Sequence, residues 1–349
     1  MKTSLSKFFL RAVSAMLALI VCMSLFGCAP SKSEYRDFNY FAMDTYITLR
    51  LAYAQKDGTR LSDEYLNDVA AECERIVGEV DLAVSCHNPS SEVYALNSSI
   101  NKLLSANELL VSVISTANNI HKLTGGVFDY SLGTLTELWN VNDGGPVPSP
   151  AEISEALTHS GTEKFLISGA SITKLDTEAK LDLGGIGKGA AAQRLLEYLS
   201  TTDVEYGIVS IGGNIGVYGE KPNYGTYKIG LRDPDDKNSV LGHFYLGGGF
   251  VSVSGDYERY FEEDGVRYHH IIDPRTGYPA RSGLRSVAVH ATNGALSDAL
   301  STALFILGVE KSMALYENST LDFEAVFVTD SGEIIATPGL EGSFVIAEK

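Results

Sequence analysis

Apolar and polar residues alternate over residues 43–51 in the manner of a β-strand, with Ile47, Leu49 and Leu51 on one side. Over residues 61–82 the apolar spacing becomes that of a helix, so one face of this segment is predicted to pack against the core. The apolar positions of this helix are Leu61, Tyr65, Leu66, Val69, Cys73, Ile76, Val77 and Val80. The pattern therefore predicts a strand followed by a long amphipathic helix.

Two further helices are predicted from capping signals. Ser105 and Glu108 have the spacing of a capping box, and an apolar stripe follows until Gly125-Gly126 ends the helix. Ser149 and Glu152 form a second capping box, with a proline in the first turn. In both cases a side-chain oxygen would satisfy an amide group that the first turn leaves without a partner.

The second half of the sequence is richer in strands, which Gly, Asp and Pro residues separate. Helices are predicted there over about 187–199 and 295–307, with Gly308 as the stop of the second. The predicted strands cover residues 208–211, 227–231, 249–253, 267–272, 284–289 and 325–328. Because these strands do not alternate strictly with helices, the pattern favours an α+β fold over a doubly wound parallel sheet.

The N-terminal segment has the composition of a signal peptide, because basic residues precede an apolar run from Ala12 to Phe26. The run is short for a membrane span, and it ends in Leu25-Phe26-Gly27-Cys28, which resembles the lipobox of bacterial lipoproteins. The alternative is an ordinary signal peptide cut near Gly27 or Ala29, and both interpretations predict export. The predicted organisation is a lipoprotein signal peptide over 1–27, a short tether over 28–37 after lipidated Cys28, and one domain over 38–349. Such a protein would be anchored at the extracytoplasmic face of the cell membrane.

The charge of the chain limits its partners. It carries 44 acidic and 27 basic residues, which gives a formal net charge of −17. Such a surface repels nucleic acid, so no nucleic-acid partner is expected. It also gains nothing from anionic lipid, so the acyl chain would have to hold the protein at the membrane.

Two cysteines, Cys73 and Cys86, remain once the signal peptide and the lipidated cysteine are set aside. They could form one disulfide in an oxidising compartment. A buried free thiol is the alternative, because Cys73 lies on the apolar side of the first predicted helix.

A glycine-rich segment, Asp182-Leu-Gly-Gly-Ile-Gly-Lys188-Gly189, joins a predicted strand to a helix. Backbone amides, the helix N-terminus and the Lys188 ammonium could together hold an anionic group. The segment is not a P-loop, because no Ser or Thr follows the lysine. Close backbone packing is the alternative use of these glycines.

Asp298 and Thr302 stand one helical turn apart and therefore share a face. A carboxylate beside a hydroxyl suits a hard cation such as Mg²⁺, which prefers oxygen ligands and leaves room for substrate phosphates. The alternative is an aspartate at a helix start followed by a threonine that faces the core.

The segment His269-His270-Ile-Ile-Asp273-Pro-Arg-Thr-Gly277 ends a predicted strand in a turn. Loops at strand ends are common places for sites, and a histidine there could take a proton from an attacking hydroxyl. A purely structural histidine is the alternative.

These three segments, in this order, resemble the ApbE family, the FAD:protein FMN transferases. The resemblance extends from about Met43 to Gly308. The matching segments are Met43-Asp44-Thr45, Ser91-Glu92 with Asn97, Thr124 to Asp129, Asp182 to Gly189, Ile211 to Asn214, Arg232 to Pro234, Val253 to Gly255, His270 to Gly277, and Asp298 to Thr302. The resemblance implies a single large α+β domain, related to the T-fold, in which mixed or antiparallel sheets pack with helices.

The resemblance also implies a cleft that takes FAD as substrate and Mg²⁺ as cofactor. The residues implied to line FAD are Met43, His87, Val127, Phe128, Asp129, Asp182, Lys188 and Ile272. Those implied to hold Mg²⁺ are the carbonyl of Gly185 and the side chains of Asp298 and Thr302, with Ser301 beside them. His270 would lie by the pyrophosphate as base or orienting group, and Lys188 would act beside it in catalysis.

The implied reaction transfers the FMN half of FAD to a Thr or Ser hydroxyl of an exported or membrane redox flavoprotein subunit, with release of AMP. Hydrolysis of FAD to FMN and AMP, or flavin binding without turnover, remain open as alternatives. Four positions depart from the family pattern: Asp44 replaces a glycine, Gly187 an alanine, and Ala190 and Gln193 the usual Tyr and Asp. Asp44 could weaken binding of an anionic ligand, whereas the last two put helix packing and flavin contacts in question.

Overall fold

The computed structural model of the protein describes residues 34–99, 103–221 and 225–348. The predicted signal peptide, the lipidated Cys28 and most of the predicted tether lie outside these residues. The first strand begins at Tyr35, before the predicted domain boundary at residue 38. It starts this early because Tyr35 pairs with Ala52 at the far end of the neighbouring strand.

The main sheet has eight strands, and every neighbouring pair in it is antiparallel. Its strands are β1 Tyr35–Ala42, β2 Thr45–Ala52, β6 Gly207–Ile211, β7 Asn214–Tyr218, β10 Gly249–Gly255, β13 Leu284–Ala291, β14 Phe323–Thr329 and β15 Ile334–Ala336, in the spatial order β1-β2-β6-β7-β10-β13-β14-β15. The predicted α+β class with antiparallel strands is therefore confirmed.

Three smaller sheets flank the main one, and all of them are antiparallel. They are formed by β3 Leu103–Ser105, β5 Ser171–Lys174 and β4 Phe165–Ser168; by β16 Phe344–Ile346, β9 Val240–Leu246 and β8 Tyr227–Arg232; and by β11 Tyr260–Glu263 with β12 Val266–His269.

The α-helices of the described residues are α1 Asp63–Val84, α2 Glu92–Ser98, α3 Glu108–Leu123, α4 Gly133–Trp139, α5 Pro150–Thr158, α6 Gly184–Ser200 and α7 Gly294–Asn318. The capping box of Ser149 and Glu152 is confirmed at the start of α5. The one predicted at Ser105 is wrong, because Ser105 ends β3. The side chain of Asn107 caps α3 instead, by accepting a hydrogen bond from the Leu110 amide.

Gly308 ends the first part of α7, as the sequence predicts. Its backbone is non-helical, with a positive φ of 78°, and a second helical segment follows it to Asn318. Of the helices in the described residues, α7 alone has the length and mean hydropathy of a membrane span, yet half of that apolar window is buried in the domain. Core packing thus accounts for its apolar sequence.

The two faces of the main sheet bury different layers. One face carries Ile47, Leu49 and Leu51 and packs in the largest apolar cluster together with residues of α1, α3, α6 and α7. The other face packs against the β16-β9-β8 sheet. Cys73 lies within the helical layer, and both Cys73 and Cys86 are free thiols, so the disulfide alternative does not apply.

Candidate active site

A cleft of about 570 Å³ opens where the β1–β2 turn, the end of α1, the start of α6, the middle of α7 and the segment after β12 converge. The residues predicted from the sequence to form the site line this cleft, with the exception of Ser301. They are Met43, His87, Val127, Phe128, Asp129, Asp182, Gly185, Lys188, His270, Ile272, Asp298 and Thr302. Segments that lie far apart in the sequence are thus brought to one cavity.

The inner wall of the cleft is a close contact between α6 and α7. A Cβ atom on Gly189 would lie 2.2 Å from the Gly294 carbonyl oxygen and 2.5 Å from Cβ of Asp298, so only glycine fits at this crossing. The Gly189 amide donates a 2.8 Å hydrogen bond to Oδ2 of Asp298, which is 5% exposed. Both uses predicted for the glycines, close packing and site formation, therefore meet at Gly189.

Hydroxyl groups continue the wall beyond Asp298. The Ser301 hydroxyl donates to the Asp298 carbonyl oxygen at 2.8 Å and lies 2.8 Å from Oγ of Ser254. Ser254 Oγ also lies 3.3 Å from Oγ1 of Thr302. Ser301 is fully buried and does not line the cleft, and it contacts the cleft-lining hydroxyl of Ser254 from behind.

The donor set at this wall suits a hard cation. A Cβ atom on Gly185 would lie 3.4 Å from Oγ1 of Thr302, so the first turn of α6 faces the α7 hydroxyl. In the described part of the chain Oδ1 of Asp298 takes part in no hydrogen bond or ion pair, and Asp298 lines the cleft, so this oxygen is available to a ligand. No three His, Cys, Asp or Glu side chains of the described residues cluster to bind a metal. One carboxylate with a hydroxyl and a carbonyl fits Mg²⁺, which commonly shares few protein ligands with substrate phosphates.

Lys188 supplies positive charge to the cleft. Its Nζ donates to the Gly184 carbonyl oxygen at 3.1 Å, and within the described residues it forms no ion pair with an acid. Its stem passes Gly212, on which a Cβ atom would lie 3.6 Å from Cδ of Lys188. Together with the N-terminus of α6, this ammonium is available for an anionic ligand.

The two adjacent histidines differ in their surroundings. His269 is buried, its Nε2 donates to the Ala280 carbonyl oxygen at 2.9 Å, and its Nδ1 accepts from the Ile271 amide. Both ring nitrogens are thus occupied, and burial lowers the pKa of His269 to about 4. His269 is a structural histidine.

His270 instead faces the cleft. Its Nδ1 lies 3.3 Å from the Arg259 carbonyl oxygen, which can only accept, so Nδ1 carries the proton and Nε2 keeps a free lone pair. Burial, followed by the positive charge of Arg259, lowers the pKa of His270 to about 3. The ring is therefore neutral at physiological pH, with the Nε2 lone pair unprotonated.

Phe128 and Asp182, which are predicted to contact the flavin, are fixed by local hydrogen bonds. The Phe128 amide donates to Oγ1 of Thr124 at 3.1 Å, and the Phe128 carbonyl oxygen lies 2.8 Å from Nδ1 of His121. Asp182 accepts from the Gly184 amide through Oδ1 at 2.8 Å, which secures the turn into α6. Phe128 and Asp182 both line the cleft.

Comparisons with known proteins agree with this geometry. The ApbE family model matches residues 43–327. The chain belongs to the ApbE family. It is 36% identical to the FAD:protein FMN transferase of Klebsiella pneumoniae over 64% of this chain and 70% of that protein. It is 30% identical to that of Vibrio cholerae over 91% and 94%.

The fold also matches a solved ApbE structure. The crystal structure of the ApbE protein of Thermotoga maritima superposes with a TM-score of 0.79 at 32% identity, over 88% of this chain and 99% of that one. The family assignment and the α+β architecture predicted from the sequence are therefore both confirmed.

Among the residues that line the ApbE cleft, Ser254 and Arg259 make contacts with predicted site residues but are absent from the sequence-based site. Ser254 belongs to a segment that matches the family, but only the fold shows its contact with Thr302. Arg259 lines the cleft and contacts His270 through its carbonyl oxygen, and a lone arginine outside any recognised motif gives no signal in the sequence.

The departures from the ApbE pattern fall on packing and on the rim. Oε1 of Gln193 accepts from the Gly294 amide at 2.8 Å and so joins α6 to the start of α7, while Ala190 is buried in α6. Gly187 faces Val84 and Met43 at the bottom of the cleft. Asp44 is exposed at the hairpin turn and borders the cleft. None of the four replaces a residue of the predicted metal set.

Proposed function

We propose that this protein transfers the FMN half of FAD to a Ser or Thr hydroxyl of a partner protein and releases AMP. The observation that carries the proposal is the single cleft that joins Asp298, Thr302, Gly185, Lys188 and His270 in a member of the ApbE family. Phosphoryl transfer depends mainly on positioning and charge stabilisation, and this cleft offers groups for both.

Mg²⁺ is the metal we expect, held by Oδ1 of Asp298, Oγ1 of Thr302 and the Gly185 carbonyl. When bound, it would neutralise charge on the pyrophosphate oxygens. Lys188 adds a positive charge beside it and stabilises the negative charge that develops on the transferred phosphoryl group and on departing AMP.

The protein's own groups can balance the transfer step. The acceptor hydroxyl oxygen forms a bond to the FMN phosphorus, and the bond from that phosphorus to the bridging oxygen of AMP breaks. The hydroxyl proton passes to Nε2 of His270, which is free to accept it. The product is FMN joined to the partner protein by a phosphoester bond.

The N-terminal sequence pattern supports a location for this reaction outside the cytoplasm. Lipidation at Cys28 would hold the enzyme at the extracytoplasmic face of the cell membrane, where exported or membrane-bound redox flavoprotein subunits are the expected acceptors. Labelling with a radioactive fatty acid, compared with a Cys28→Ser variant, tests the anchor.

Intact-mass spectrometry tests the transferase directly. Residues 35–349 form a compact unit, so a chain beginning after Cys28 can be incubated with FAD, Mg²⁺ and exported flavoprotein domains of the source organism. A mass gain equal to one esterified FMN is expected. Free FMN and AMP without labelled protein would indicate hydrolysis, and unchanged FAD would indicate flavin binding without turnover.

A further inference from the structure

Phe41 and Tyr46 are the most exposed large apolar side chains of the described residues, at 64% and 79% of their full accessibility. They face each other across the β1–β2 hairpin, with ring centroids 5.5 Å apart in an edge-to-face arrangement. Each ring shields only one side of the other. An aromatic pair left this open gains free energy when another surface covers it.

The next two cross-strand pairs on the same hairpin face are polar, and the two residues of each pair are hydrogen-bonded to each other. The next cross-strand pair is Asn39 with Thr48, joined by a 2.7 Å hydrogen bond. The pair after that is Asp37 with Arg50, joined by two hydrogen bonds of 2.7 and 2.8 Å. The aromatic pair is therefore confined to the end of the hairpin that borders the cleft.

The backbone of Tyr46 contacts Gly212, and Gly212 lies next to the Lys188 side chain. Tyr46 accepts a 3.3 Å hydrogen bond from the Gly212 amide through its carbonyl oxygen. A Cβ atom on Gly212 would lie 3.0 Å from Oγ1 of Thr45 and 3.6 Å from Cδ of Lys188. The backbone of Tyr46 is thus in direct contact with Gly212, which lines the cleft beside Lys188.

The hairpin turn also borders the outer part of the cleft. Asp44 in this turn lines a smaller cavity of about 390 Å³ that shares His87, Asn140 and Arg259 with the cleft. Asp143 adds a second carboxylate to this cavity. The lining of this smaller cavity is therefore polar, and it carries two carboxylates, Asp44 and Asp143.

We propose that Phe41 and Tyr46 form a docking site for the acceptor protein, by contacting an apolar or aromatic side chain close in sequence to the acceptor Ser or Thr. This inference rests on the proposed transferase function, because transfer requires a segment of a second protein to reach the cleft from its mouth. The pair points out of the cleft, which places it outside the FAD cavity. Carboxylates on the hairpin and in the smaller cavity disfavour an anionic membrane as the occupant.

The test uses the double variant Phe41→Thr/Tyr46→Thr, since threonine retains strand propensity. Its control is Val345→Thr/Ile346→Thr, which removes an exposed apolar pair from β16, in a sheet that does not line the cleft. Steady-state transfer is measured without lipid, with the acceptor domain that gains FMN in the mass assay. FAD affinity is measured separately by flavin fluorescence.

We expect kcat/KM for the acceptor to fall about tenfold in the hairpin variant, with KM bearing most of the loss, because two aromatic contacts disappear. FAD affinity should stay within about twofold, and the β16 control should match the parent protein in both measurements.

Three results would overturn the inference. Weaker FAD binding in the hairpin variant would assign the pair to the FAD site. If the hairpin variant transfers FMN with unchanged acceptor kinetics, the aromatic pair does not contact the acceptor. This result is expected if the pair contacts a membrane instead. Absence of transfer by the parent protein would defeat the proposed function itself, and the inference with it.

Discussion

The inner wall and the outer rim of the cleft are built in different ways. At the inner wall, Gly189 and Asp298 are buried where α6 and α7 cross, and each fixes the position of the other. At the rim, Asp44 and His87 are exposed on a hairpin turn and on the loop after α1. At the wall, the residues proposed for the chemistry also hold two helices together, so a substitution there affects both activity and stability. At the rim, the residues are exposed, so they can be replaced without loss of the fold.

The largest effect is expected from Asp298→Asn. The amide oxygen can still accept from the Gly189 amide, so the helix contact should survive, but the charge for a cation is lost. We expect transfer to fall by about 10²–10³-fold and its Mg²⁺ dependence to change. Magnesium titrations of the initial rate measure this. Parent-like kinetics in the folded variant would remove Asp298 from the metal site.

A loss of about 100-fold in kcat is expected for His270→Gln, which removes the free Nε2 lone pair from the cleft. Because the pKa of His270 is lowered to about 3, its ring should be neutral from pH 8 down to pH 5 in the FAD-free enzyme. Nitrogen NMR of the ring measures this directly. Titration near the ordinary histidine pKa would contradict the buried environment described here.

The packing role of the inner wall is tested by Gly189→Ala. The added methyl group would overlap the Gly294 carbonyl, and overpacking of this kind costs about 1–3 kcal/mol in unfolding free energy. Gly78→Ala in α1 is the matched control, because no atom lies within 4 Å of its added Cβ, and it should stabilise the protein by about 0.5–1 kcal/mol. Urea unfolding gives both values; equal effects would contradict the proposed tight crossing.

The smallest effect is expected at the rim, from Asp44→Gly. Asp44 has a positive φ of 54°, which glycine adopts without strain, so stability should rise by up to about 1 kcal/mol. Removal of the carboxylate should lower KM for FAD by about twofold, since the charge is exposed and screened. A rise in KM, measured at fixed Mg²⁺, would show instead that Asp44 assists binding.

Much of the fold follows from local signals. The periodicity of residues 61–82 predicts α1, and the Ser149 capping box predicts the start of α5, because these features depend on neighbours within one or two turns. The Ser105 box fails for a tertiary reason: Ser105 pairs with Ser171 as the end of β3, which leaves Asn107 to cap α3. Gly308 ends the first part of α7 as predicted, whereas the helical segment that follows it to Asn318 was not predicted.

For the site, the sequence by itself determined the chemistry. It identifies a glycine-rich turn with a lysine, an Asp and Thr on one helical face, and a histidine at a strand end, and the resemblance joins them in one family. Residue types and short spacings carry this information, because each motif is local.

Only the tertiary structure decided how these motifs meet. It shows that Gly189 binds Asp298 across 109 positions of sequence, that His270 rather than His269 faces the cleft, and that Ser301 is buried behind it. It also brings Ser254 and Arg259 to the site and leaves Phe41 and Tyr46 exposed at its mouth. These facts depend on contacts between segments that are distant in sequence. A local sequence pattern cannot show which distant segment will pack against a given residue.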